Sequence, residues 1–219
     1  MSDVPPQESR PLGAVVADLR AAFLEVLQAA GPTAPTLCEG WTAHDLAAHV
    51  VARERRPLAD AGLVVPALAG WTERTRLPTA RHSFPNLLEQ VREGPGRFSP
   101  FSLPGVEGLA NLVEFTVHLQ DAARPAGVVV PQVAGLERAV VGQLRRQAPL
   151  HRRRLPGPVV LRTADGERMW DVPPSPEPVV VTGPPVELLL FLTGRSAARV
   201  EIEGPAEAVA RVRAASLGL

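Results

Sequence analysis

Glu107, Asn111, Glu114, His118 and Asp121 are separated by four, three, four and three residues. On an α-helix that spacing gathers them on one stripe. The residues between them, Leu109, Leu112, Val113, Phe115, Val117 and Leu119, are apolar. Glu114 and His118 lie one turn apart, so a carboxylate and an imidazole stand side by side and could reach one divalent cation. Three protein ligands and an open position are the usual arrangement of catalytic zinc. His49 is the natural third ligand: it lies between Leu46 and Val50 on the apolar face of an earlier segment, where a histidine points into a bundle. Spacing leaves a second reading open. A polar stripe on an amphipathic helix is ordinarily its solvated face, and a histidine among apolar residues is ordinarily a hydrogen-bonded core residue.

These side chains need helices to hold them. Val15, Leu19, Phe23 and Leu27 recur every four residues and predict a helix from Pro11 to Ala30, closed by Gly31 and Pro32. Thr42 and Asp45 have the spacing of a capping box and open the helix that carries His49, which Pro57 ends or kinks. Residues 62–83 hold Gly62, Pro66, Gly70 and Pro78 and read as a long connection, of a length that often covers a site. A short helix follows from Ser83 to Arg92. The helix bearing the polar stripe is expected from Gly105 to Ala123, and a further amphipathic helix from Gln132 to Gln147.

After Pro149 the pattern changes. Extended runs at 159–162 and 168–172 flank an Asp165-Gly166 turn, a hairpin signal. A third run covers 178–182, a helix 184–192, a fourth run 199–203 and a last amphipathic helix 205–215. The chain therefore divides into a disordered lead at 1–10, a bundle of four main helices plus a short one at 11–148, a linker at 149–158 and a small α+β unit at 159–219.

Composition narrows the function. The formal net charge is zero, so no basic excess exists to hold a nucleic-acid backbone. Every basic residue other than histidine is Arg, in keeping with a GC-rich coding sequence. A single cysteine, Cys38, rules out an intramolecular disulfide. The N-terminus is polar, without the apolar core of a signal peptide, and no apolar run is long enough for a membrane span. A cytoplasmic protein, binding neither nucleic acid nor membrane, is expected.

The run Cys38-Glu39-Gly40-Trp41-Thr42-Ala43-His44-Asp45-Leu46-Ala47-Ala48-His49, followed by Glu114-Phe115-Thr116-Val117-His118, resembles the DinB-like metal-binding bundles. Within them it is most similar to the mycothiol-dependent maleylpyruvate isomerase family of actinobacterial type. The resemblance implies an α+β protein: an N-terminal DinB-like four-helix bundle and a small C-terminal α+β domain. It implies that His49, Glu114 and His118 bind a divalent metal, with zinc the default for two imidazoles and a carboxylate. It implies that the metal binds the sulfur of a small thiol, mycothiol, and favours the thiolate, which attacks an electrophilic substrate in an isomerisation or S-transfer. The alternative is a non-catalytic metal- or thiol-binding module, a sensor or partner-binding protein. Some members of the family read His-His-Glu-Asp where this chain has His118-Leu119-Gln120-Asp121; the ligand and the aspartate remain, the residues between them differ.

Arg53, four after His49, could reach the site and steer an anionic thiol or substrate, although it also belongs to the charged run Arg53-Glu54-Arg55-Arg56. Asp121, on the stripe, is a second candidate contact. Cys38 reads as a small packed residue. His44 is about 140° around the helix from His49 and belongs to the surface. Trp41 and Trp71 read as anchors. No Ser-His-Asp order, phosphate-cradling glycine loop or CxxC pair is present.

Overall fold

In the computed structural model, residues 10–55, 77–96, 106–151, 154–166, 168–171, 177–215 and 217 are described. Five helices come first: α1 (Leu12–Ala30), α2 (Ala43–Arg55), α3 (Phe84–Glu93), α4 (Val106–Ala126) and α5 (Leu136–His151). Then follow β1 (Val159–Arg162), β2 (Arg168–Asp171), β3 (Val179–Thr182), α6 (Pro185–Leu192), β4 (Glu201–Glu203) and α7 (Ala206–Ala214). The architecture is α+β, a DinB-like helical bundle followed by a small α+β unit. Trp71 and most of the connection expected at 62–83 lie outside the described residues.

The first core belongs to α1–α4. Val15, Leu19, Phe23 and Leu27 of α1 meet Leu46 and Val50 of α2, Leu87 and Val91 of α3, and Leu112, Phe115 and Leu119 of α4. Gly31 ends α1 with φ +81°, a backbone conformation that side chains with a Cβ disfavour. The capping box forms: Thr42 N donates to Asp45 Oδ2 at 3.1 Å, and Asp45 N to Thr42 Oγ1 at 3.3 Å. It starts α2 at a defined residue and so fixes which α2 side chains face inward.

Arg20 ties four helices together. From α1 it donates to both carboxylate oxygens of Glu54 on α2, at 2.5 and 2.7 Å, and to the Val91 carbonyl on α3 at 2.8 Å. Its guanidinium lies 4.6 Å from the Phe115 ring centroid on α4. Glu54 is almost wholly buried, so this fork is what permits its charge.

The second core is built on a four-stranded sheet in the order β2-β1-β3-β4. The β1–β3 pair is parallel, the β1–β2 and β3–β4 pairs antiparallel. Central β1 buries Val159, Val160 and Leu161 in succession, as a strand covered on both faces must. α6 buries Val186 and Leu188 to Leu192, which share the second core with Val159, Leu161, Val179 and Val181 of the strands and Val140 and Leu144 of α5.

α5 differs from expectation at both ends. Gly135, at φ +80°, holds the preceding turn out of the helix, so α5 starts at Leu136 and not Gln132. It continues to His151, into the segment read as a linker. Its packing is also shared. Leu136 and Ala139 touch the first core, whereas Val140 and Leu144 are buried in the second with Val117 of α4.

Replacing Arg20 by Met strands Glu54 without a cation. Urea unfolding of Arg20→Met should show a loss of about 3–5 kcal/mol, the usual cost of an orphaned buried charge. The double variant Arg20→Met/Glu54→Leu should recover most of it. A single-variant loss near zero would remove the fork from the account of the bundle.

Candidate metal centre

The α4 stripe faces inward. Asn111 and Asp121 have 0% exposure and His118 8%; only the Glu114 side chain, at 15%, keeps a modest opening. The solvated-face reading therefore fails for these four, while Glu107's side chain lies outside the described residues. His49, on α2, is buried too, with the Trp41 and His118 ring centroids each 5.2 Å from its own.

Glu114 is the meeting point. Its Oε1 lies 3.0 Å from His49 Nε2 and 3.2 Å from His118 Nε2. Its Oε2 lies 3.4 Å from Arg53 Nε. Ligand atoms about 2.0–2.1 Å from a tetrahedral centre are spaced about 3.3 Å apart. The trio offers one atom each, all within 4.8 Å of one another, so the donor set fits a divalent cation. Cys38, His118 and Asp121 also converge to that extent. There, however, Arg195 spans both Asp121 oxygens, at 3.2 and 2.8 Å, and already supplies the positive charge.

Behind the trio stands a layer of fixed partners. Asp121 Oδ2 accepts from His118 Nδ1 at 2.9 Å. A ring that keeps its proton on Nδ1 presents the Nε2 lone pair to the centre, as metal-binding histidines do when a carboxylate holds the other nitrogen. Arg195 NH1 is itself held by the Thr193 carbonyl at 2.8 Å. The Cys38 thiol lies 3.4 Å from Asp121 Oδ2, and Leu37 N donates to the Asp121 carbonyl at 3.0 Å. Arg53 is buried, with NH1 2.6 Å from Asn111 Oδ1. It is no member of a solvated run.

The structure thus brings His49, Glu114, His118, Asp121 and Arg53 together. Arg195, Cys38 and Asn111 complete the neighbourhood. Asn111 was legible as a stripe position. Cys38 was legible as packed, and it does touch the first core, but its approach to Asp121 needs the loop before α2. Arg195 carries no local signal, because it reaches Asp121 across 74 residues. His44 turns away and meets the His82 carbonyl at 3.0 Å. Leu119 packs in the first core, and Gln120 accepts from Arg124 Nε at 2.9 Å.

Charges in this cluster are mutually dependent. Burial opposes ionisation of Glu114, but Arg53 and His118 outweigh it and hold the carboxyl well below the usual range. Burial likewise opposes a charged His118, and the Glu114 charge with the Asp121 hydrogen bond overrides it, lifting the imidazole well above its ordinary value. Asp121 is pulled down to about 2 against its own burial by His118 and Arg195. In the metal-free protein Glu114 and Asp121 flank the two ring nitrogens of His118 and favour its charged form.

Residues 12–123, just over half of the chain, match the family described as the mycothiol maleylpyruvate isomerase N-terminal domain. The chain belongs to this family. A crystal structure of the mycothiol-dependent maleylpyruvate isomerase is similar in fold, with a TM-score of 0.50 and 20% identity over 89% of this chain and 93% of that one. A histidine-to-alanine mutant of that enzyme gives the same figures. Both bundle and α+β unit of this mycothiol maleylpyruvate isomerase family member thus have counterparts in one solved fold. No curated protein matches the sequence. No helix among the described residues is long and apolar enough to cross a membrane.

Asp121 predicts an acid limb. Its folded value, about 2, is depressed from 3.8, so its stabilisation is complete above 3.8 and is lost as pH falls through about 2. Linkage over that shift is worth about 2 kcal/mol. Denaturant unfolding of the metal-free protein from pH 5 downwards should show this loss in the wild type and not in Asp121→Asn; parallel curves would refute the assignment.

Proposed function

We propose that the chain holds one divalent cation, zinc by the ligand set, through His49, Glu114 and His118, and uses it with a small thiol, mycothiol, in an isomerisation or S-transfer on an electrophilic substrate. The observation that carries this reading is the convergence of two imidazole nitrogens on Glu114 Oε1, with the other nitrogen of His118 already held by Asp121. Family membership supports the thiol. When bound, the cation would supply a Lewis-acid centre that stabilises a thiolate at neutral pH.

The chain's own residues prepare that centre. His118 would present a proton-free Nε2 to the cation while its Nδ1–H donates to Asp121 Oδ2. Arg53 occupies Glu114 Oε2 and leaves Oε1 turned to the imidazoles. Arg195 holds Asp121 in place, so the α+β unit contributes to the geometry of a ligand on α4. Asp121 acts as an orienting group in this arrangement, and Arg53 as the cation that keeps Glu114 ionised.

Protein purified without a histidine tag should carry one equivalent of metal, and His49→Ala none. Asp121→Asn and Arg195→Ala should keep the ligands and lose about 10–100-fold in zinc affinity, the usual effect of removing an orienting partner. Because a proton leaves His118, apparent zinc affinity should rise as pH approaches the raised His118 value from below. Mycothiol should then bind the metal-loaded protein alone. Absence of metal in the wild type, with no zinc-induced shift in melting temperature, would overturn the reading. Metal without thiol affinity would leave a non-catalytic metal-binding module.

A further inference from the structure

A cleft of about 650 Å³ opens where the bundle meets the α+β unit. α4, the segment 127–133 and the start of α5 line it from the bundle, and α6 and Arg199 from the α+β unit. None of the residues gathered around Glu114 takes part. The volume is in the range of small-molecule sites, which favour such junctions. Val128, Val130, Val133, Leu136 and Val186 give it an apolar lining.

Four charged side chains share that lining: Arg124, Glu137, Glu187 and Arg199. Two satisfy each other. Arg124 NH2 donates to Glu187 Oε1 at 2.6 Å, NH1 to the Ala197 carbonyl at 2.5 Å and Nε to Gln120 Oε1 at 2.9 Å. The other two are left over. Arg199 gives its backbone N–H to Glu187 Oε2 at 2.8 Å, but its guanidinium has no hydrogen bond or ion pair among the described residues. Glu137 Oε2 accepts from Val186 N at 3.3 Å and meets no cation among the described residues. Partial burial raises its carboxyl against that one bond, and the Glu187 charge adds to the rise. A nearby cation would relieve both effects.

One unmatched anion, one unmatched cation and an apolar lining are complementary to a zwitterion with an apolar body. A ligand of single charge would leave either Glu137 or Arg199 unanswered. We propose that the cleft binds an amino acid with an apolar side chain, its ammonium on Glu137, its carboxylate on the Arg199 guanidinium and its side chain against the valines. The site is independent of the metal–thiol reading, because no group of the metal centre lines it.

Full-length protein is titrated by calorimetry with L-leucine, with leucinamide, which lacks the carboxylate, and with isocaproate, which lacks the ammonium. Leucine should bind about tenfold or more tightly than either, as the loss of one charge-assisted hydrogen bond requires. Glu137→Gln keeps an acceptor for Val186 N and should erase the preference for leucine over isocaproate. Arg199→Gln should erase the preference over leucinamide and leave the other intact. Melting temperatures report whether each variant folds, and Arg199→Gln serves alone if Glu137→Gln does not. Failure of leucine to bind in the millimolar range, equal affinity for the three probes, or unchanged preferences in the folded variants would each overturn the assignment.

Discussion

A carboxylate without exposed surface must be paired, and the partners of Asp121 determine much of this molecule. Taking a charge out of water costs several kcal/mol unless cations and donors surround it. Here they come from separate parts of the chain: His118 from the same helix, Arg195 from beyond α6, the Cys38 thiol and Leu37 N–H from the loop before α2. Each contact that stabilises Asp121 also fixes something else. The loop contact places the segment leading into α2, and with it His49. The arginine docks the α+β unit on the bundle. The imidazole acquires one orientation.

Glu114 is bound by a similar rule. It is the most exposed of the three candidate ligands, yet its carboxyl is held well below its usual range by Arg53 and His118 against burial. Each carboxylate faces a guanidinium, Glu114 with Arg53 and Asp121 with Arg195, so neither negative charge is left unpaired in the interior. Ala47, Ala48 and Ala52 of α2, and Ala122 and Ala123 of α4, are buried close by in sequence.

Local physics was readable without coordinates. The four-residue recurrence in α1, the Thr42–Asp45 cap, the Asp165-Gly166 turn and the short strands appear close to where the residues put them. The trio was legible because Glu114 and His118 share one helix and the motif around His49 resembles a family pattern. Direction was not legible. Spacing puts the stripe on one face of α4, but whether that face meets water depends on α2 and on Arg195, which are remote in sequence. α5 shows the same limit: Leu136, Val140 and Leu144 give an apolar face, yet periodicity carries no information on which core each residue joins.

That division of α5 has a consequence for how the molecule comes apart. One helix supplies buried side chains to both cores, Val117 of α4 enters the second core from the bundle, and Arg195 returns the other way. Neither unit keeps its apolar surface covered if the other melts. The two architectural units therefore share buried surface: a chain cut after α5 would expose Val140, Leu144 and Val117 and lose the cation that pairs with Asp121.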